Sequence, residues 1–419
     1  MRSKRTHGIG IIYRRAISQL GWERSCQIGT VILLLACSVF SQTAPQPATP
    51  NIKSAAAALA AGDAQRAENE LTAILQSSPN DVHALNLLGI LRAQQQRNAE
   101  AEELFKKAIG VQPDYASPHA GLGLLYLQMG KDDLAIPALQ DALKIDPGRK
   151  DAQTALVSLW RAQAHTAVQS GKLEKALALL IDARKLDPPN FDVQFDFGMV
   201  ALRMSLFPDA VDAFEAALKA RPDDPQALYG LGRSKIALAK FDGARQTFER
   251  YVLLRPDDAS GHYALGFTLQ ALQRTPEARA EYEQSITLQT QQTESYYQLG
   301  LLDLDAGSRR TAAQQFDRVL KRAPQHAGAL TGMGEIRFQE KNYDEAISFL
   351  TKAIASNPKL REAHYYLGLT DARVGRKEDS EKELAIASQI EHEEVEKHQN
   401  VLHIIDPDQP QTPAAKTDR

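Results

Sequence analysis

Cysteine is nearly missing from this chain. Its two copies, Cys26 and Cys37, lie near the start, and none follow in a sequence of 419 residues. Everything after Cys37 therefore folds without a disulfide, which is compatible with an oxidising compartment but does not require one. Aromatic residues are scarce as well, at 6%. That scarcity disfavours a β-sandwich core and suits helices rich in alanine and leucine. A basic excess is also lacking, because from residue 42 onward 43 basic residues stand against 51 acidic ones. Such a balance argues against a nucleic-acid surface, which needs a basic stripe. No run is apolar for long: the mostly apolar stretch from Ile28 to Phe40 is 13 residues, short of the roughly 20 needed to span a bilayer as a helix. Gly-rich phosphate loops, G-x-S-x-G and H-E-x-x-H are all absent. His392, His398 and His403 are six and five apart, which does not put them on one helix face. The expectation is a chain without catalytic residues, metal or cofactor.

The two ends differ from the middle. Arg2, Lys4, Arg5, Arg14, Arg15 and Arg24 precede the apolar stretch, so residues 1–41 read as a signal peptide or N-terminal anchor. Val39-Phe40-Ser41 before Gln42 favours cleavage at Ser41. Leu34-Leu35-Ala36-Cys37 offers the rival of lipidation at Cys37, and an uncleaved anchor or a start codon downstream of Met1 stays open. Residues 42–50 form a Pro-rich spacer, and residues 406–419 read as a disordered polar tail. The expectation is an exported protein, periplasmic or secreted in a bacterial envelope. It would touch membrane only through its N-terminal segment.

Between those ends one alanine returns every 34 residues: Ala67, Ala101, Ala135, then Ala176, Ala210, Ala244, Ala278, Ala312 and Ala346, with Ser380 closing the series. Twelve places earlier stands a small residue, such as Gly89, Gly123, Gly232, Gly300 or Gly368; twelve places later a proline follows in eight of ten units. Each unit carries two helix-period patterns and a turn, so an all-α array of about ten helix-turn-helix repeats is predicted over 51–394. Gly123 is expected to face Ala135 where the two helices cross. The interval from Ala135 to Ala176 is 41 residues, which places a seven-residue insertion at 150–156. Seven residues are nearly two turns, so the buried face keeps its direction while the helix lengthens by about 10 Å. Residues 395–405 read as the end of a charged C-terminal capping helix.

The pattern L-G-x2-Y…A-x3-F-x2-A…P resembles the tetratricopeptide repeat over about 48–394, with Trp160 at the family's tryptophan position and Thr290 and His392 in place of the terminal proline. The resemblance implies a right-handed α-solenoid that binds protein or peptide partners, not nucleic acid. It also implies that positions five and nine of each first helix line the concave face. Those positions include Asn86, Arg161, Phe195, Tyr229, Tyr263, Tyr297 and Tyr365 at five, and His165, Met199, Arg233, Phe267 and Leu301 at nine. An aromatic track from Phe195 to Tyr297 would suit an extended or helical peptide. The family's Lys-and-Asn carboxylate clamp and the asparagine ladder of glycosyltransferase-associated arrays are both missing. His119, His262 and His364 share the position of Trp160 and read as structural. The reading that follows is a peptide-binding scaffold. Its alternative is a non-catalytic subunit of an envelope enzyme or secretion complex, docked through the outer helices.

Overall fold

The computed structural model describes residues 51–405, with side chains to residue 393; the leader, Cys37, the spacer and the tail lie outside the described residues. Twenty helices follow one another without a strand among the described residues. The first helices of the repeats are α1 (Ile52–Ala60), α3 (Val82–Gln94), α5 (Ala116–Gln128), α7 (Lys150–Gln169), α9 (Phe191–Arg203), α11 (Pro225–Ala237), α13 (Ala259–Ala271), α15 (Thr293–Asp305), α17 (Ala327–Gln339) and α19 (Arg361–Arg373). The second helices are α2 (Ala64–Ser77), α4 (Asn98–Val111), α6 (Asp132–Ile145), α8 (Leu173–Leu186), α10 (Phe207–Ala220), α12 (Phe241–Leu254), α14 (Thr275–Leu288), α16 (Arg309–Arg322), α18 (Tyr343–Ser356) and α20 (Lys377–Ile405). Two compact units divide between Met204 and Ser205. In each of them a first helix touches the first helix of the next repeat as well as its own partner, so the first-helix side is the tighter one.

The alanine at the heart of each repeat is fully buried, but the small residue before it does not face it alone. A methyl group on Gly123 would lie 2.6 Å from Leu139 Cγ, four residues beyond Ala135. Other glycines at this position repeat the arrangement. Gly89 faces Phe105, Gly232 faces Phe248, and Gly300 faces Phe316 at 2.5 Å. The expected glycine–alanine contact is therefore corrected to a slot. The glycine makes room for a large residue one helical turn after the alanine, and the alanine lets backbone approach, as where the Ala278 carbonyl comes within 3.2 Å of the methyl position on Gly266.

The turn inside each repeat needs one residue in the left-handed region. Ten such residues occur among the described residues, at Gly62, Gln96, Gly130, Gly171, Ser205, Ala239, Gln273, Gly307, Lys341 and Gly375. A bond from the N–H three places after the last helical residue reaches back five residues, as from Arg97 to the Arg92 carbonyl at 2.9 Å, and this closure requires the positive φ. Only half the sites use glycine. At Ala239, with φ 54°, a Cβ costs about 1–2 kcal/mol that glycine avoids, against glycine's extra unfolded-state entropy of about 0.5–1 kcal/mol. Ala239→Gly is therefore expected to stabilise the protein by about 0.5–1 kcal/mol. A urea midpoint that stays or falls would show that the turn is held by something else.

The seventh helix has 20 residues where the regular first helices have 13. A second effect of those extra turns is visible at their start. In ordinary repeats a side chain at position four binds the proline carbonyl six residues back: His119 to Pro113, Gln194 to Pro188, His262 to Pro256, and His364 to Pro358 at 3.0 Å. In α7 that task falls to Gln153, 2.7 Å from the Pro147 carbonyl. Trp160 is thereby released from the turn and stands two helical turns further along.

Candidate functional site

Residues four apart on a helix stand one above the other on the same face. Positions five and nine of one first helix thus form a column, and successive repeats set columns side by side. The second unit, residues 205–405, has the columns Tyr229–Arg233 on α11, Tyr263–Phe267 on α13 and Tyr297–Leu301 on α15, with Tyr365 on α19. Its three tyrosines at position five are partly buried because their rings brace the helices behind them. Tyr229 packs on Phe248 and on Tyr251 at 5.2 Å between centroids; Tyr263 lies against Tyr282. Tyr297 lies against Phe316 and, at 4.7 Å, against His326 of the next repeat. Its hydroxyl occupies the space a side chain on Gly328 would need, 2.5 Å from the methyl position. Position nine is open at two of the three columns: Arg233 is exposed and Phe267 is 36% exposed, whereas Leu301 is partly buried against the core around Phe316. Tyr365 is 43% exposed and meets Tyr366 edge-on.

Burial pushes the Tyr263 phenol up to about 12, with Glu294 nearby adding to the rise and the Gln298 amide opposing it. The Tyr229 and Tyr297 phenols are pushed up by burial too. All three therefore remain hydroxyls across the physiological range and can donate to a carbonyl. On α17, burial followed by the charge of Asp305 raises the Glu335 carboxyl, which Tyr366 and Gln339 partly offset.

The first unit, residues 51–204, carries the other predicted positions. Arg161 and His165 form one column on α7, and both are engaged by carboxylates of α9. Arg161 Nε is 2.8 Å from Asp196 Oδ2, its other arm is 3.3 Å from Asp192, and His165 Nε2 is 2.9 Å from Asp196. Phe195 stacks on Phe191 at 5.8 Å, and Met199 stands one turn beyond it, partly buried. Asn86 is 4% exposed, and its side-chain oxygen is buried without a hydrogen-bond partner. Sequence reasoning did not find Asp192 and Asp196. Their signal would have been an acid at positions two and six of the repeat following an arginine at five.

On the outer side of the same unit, Gln140, Leu143 and Lys144 of α6, Leu156 and Trp160 of α7, and Leu186 of α8 line an open groove of about 370 Å³. Among the described residues no three His, Cys, Asp or Glu side chains gather as a metal site requires, and no helix is long and apolar enough to cross a membrane.

Sequence profiles described as tetratricopeptide repeat match residues 82–148, 161–225, 201–266 and 297–361, together more than half of the chain. A Homo sapiens protein O-mannosyl-transferase, TMTC3, is 35% identical over 81 residues, which are 19% of this chain and 9% of that protein. The chain thus spans under a tenth of the length of the curated relatives it matches. Among solved structures, YrrB, described as a TPR protein with an unusual peptide-binding site, matches at 22% identity and a TM-score of 0.37, over 44% of this chain and 95% of that one. The APC/C hetero-tetramer Cut9-Hcn1 matches at 14% identity and a TM-score of 0.45, over 80% and 92%.

Proposed function

Because the chain belongs to the tetratricopeptide repeat superfamily, we propose that it is a non-catalytic scaffold whose first-helix face holds an extended segment of a partner protein. The observation that carries this reading is the division of labour within the columns of the second unit. Tyrosines at position five give a stiff floor, while Arg233 and Phe267 at position nine are exposed and Leu301 beside them is partly so. A floor already ordered by packing leaves less entropy to be lost when a ligand docks. The partner would lay apolar side chains over Phe267 and Leu301 and accept hydrogen bonds from the phenols. Residues 1–41 support an exported location, and N-terminal sequencing of the mature protein reads which fate the leader meets, at Gln42, at Cys37 or neither.

The test uses position nine, because changing the braced tyrosines would confuse binding with folding. Peptides from a displayed random library are selected on the full chain. The variant Arg233→Ala/Phe267→Ala/Leu301→Ala is expected to lose at least about tenfold in affinity for them, the scale of a modest hot spot. Arg233 and Phe267 are exposed and should cost within about 0.5 kcal/mol each, so a melt of the Arg233→Ala/Phe267→Ala double variant separates binding from any packing loss at the partly buried Leu301. Peptides that bind the variant undiminished would refute the inner face, and would favour docking through the outer helices, where the Trp160 groove lies.

A further inference from the structure

One outer helix carries a charge that its neighbours do not. α16 reads RRTAAQQFDRVLKR, four arginines and a lysine against one aspartate. The other second helices of its unit, α10, α12, α14, α18 and α20, are neutral or net acidic. The location of the charge is as unusual as its amount. In α10, α12, α14, α18 and α20 the first turn holds an acidic residue, whereas α16 has none there and opens with Arg309 and Arg310. Cations at a helix N-terminus oppose the backbone dipole, so the fold gains nothing from Arg310. A local rule broken without structural return marks a candidate for function.

The remaining cations are arranged along the exposed side. Arg310, Gln314, Arg318 and Lys321 are all exposed and follow helical spacing, with Arg322 beside them, a stripe about 18 Å long at 1.5 Å per residue. Lys321 is paired with Asp317 at 2.6 Å. Arg318 and Arg322 instead rest over the ring of Tyr296, at 5.4 and 5.0 Å from its centre, so their guanidinium groups are held in place with no carboxylate on them.

We propose that this stripe docks an acidic segment of a partner protein, carboxylates aligned along α16. Guanidinium forks match carboxylates in pairs, and positions already fixed by stacking lose little freedom on engaging them. The width of the stripe decides between anions. The outer helices before and after it carry exposed Glu283 on α14 and Asp344 on α18, while the neighbouring Glu277 and Glu345 are already paired with Arg274 and Arg337. Those acids would repel a broad anionic surface such as a bilayer or a nucleic-acid duplex, but not a single narrow chain lying between them. This site is on the second-helix side and does not depend on the proposed inner-face function.

The test measures binding of a fluorescent oligoglutamate peptide to the full chain by anisotropy at low and high salt. Vesicles rich in phosphatidylglycerol and a single-stranded oligonucleotide serve as competing probes. Arg310→Glu/Arg318→Glu/Arg322→Glu is expected to weaken oligoglutamate binding at least tenfold. Replacing the same three arginines by glutamine keeps the side-chain stems and should weaken it severalfold. Lys107→Glu/Lys219→Glu/Lys352→Glu changes the net charge equally on other helices and should leave binding as in the parent. Circular dichroism melts of all variants separate loss of binding from loss of fold. Equal binding by the two glutamate triples would overturn the proposal, and so would vesicles or the oligonucleotide binding the stripe more tightly than oligoglutamate.

Discussion

Phe316→Ala is expected to destabilise the protein by about 3–5 kcal/mol, the upper range for a buried aromatic. The ring is fully buried and fills a slot with glycine on both sides. A methyl group on Gly300 of α15 would lie 2.5 Å from it, and one on Gly332 of α17 would lie 2.4 Å from it. One ring thus spaces three helices of two consecutive repeats. The cost is high because two facing glycines offer no side chain that could move into the void. Phe105 sits in the same way between Gly89 and Gly121. Because repeat stability is a sum of units and their neighbour interfaces, the loss should be local. Hydrogen exchange should accelerate across α15 to α17 and remain slow in the first unit. A urea-derived loss below about 1 kcal/mol, outside the range for such truncations, would mean the slot collapses and the ring is not the spacer described.

Arg92→Met should have the second largest effect, about 1–3 kcal/mol for charge-assisted hydrogen bonds lost in a partly buried site. The Arg92 guanidinium ties α3 to the helices on both sides. It lies 2.7 Å from Glu68 of α2 and 3.3 Å from Glu100 of α4, and donates to Gln95 at 2.9 Å. The hydrogen bond from Arg92 is the largest influence on Glu68 and holds its carboxyl down at about 2, against an ordinary value of 4.5. A carboxyl depressed in the native state stabilises it above the unfolded value, and that contribution is lost as pH falls through the native one. The parent should therefore lose stability between roughly pH 4.5 and 2 through this pair, and the Met variant should lack that component. An NMR titration that finds Glu68 near 2 in the variant would sink the assignment.

The same place in other repeats carries different chemistry. Twenty-four residues separate Glu68 from Arg92, Glu102 from Tyr126 and Arg279 from Asp303, and each pair bonds at 2.7 to 3.0 Å. Asp371 occupies the corresponding position in the last repeat, but residue 347 is isoleucine. Its Oδ1 is buried without a hydrogen bond, Arg376 stands 3.6 Å away, and burial pushes the carboxyl up. None of this was legible beforehand, because these positions show no residue preference at the 34-residue period. Only stacking reveals that they meet.

Punctuation was legible because it answers to the backbone. A 34-residue alanine, a small residue before it and a proline after it were enough for about ten two-helix repeats and for the longer first helix α7. The left-handed turn residue was legible only where it is glycine; Gln96, Ser205, Ala239, Gln273 and Lys341 adopt the same φ without advertising it. The candidate site was half legible. Helical spacing tells which positions share a face, which puts Tyr229, Tyr263 and Tyr297 at one register position and Arg233 and Phe267 one turn further along.

What spacing cannot tell is depth. A face of one helix becomes floor or surface according to side chains contributed by other repeats, and those come from positions dozens of residues away. Tyr297 is a brace because His326 and Gly328 receive it, Arg161 is engaged because Asp192 and Asp196 reach it, and Arg318 is held in place because Tyr296 lies beneath it. The sequence by itself determined the element type, the count and the facing of each side chain, all consequences of local backbone geometry. Tertiary packing alone decided which of those side chains hold the array together and which remain free to hold something else.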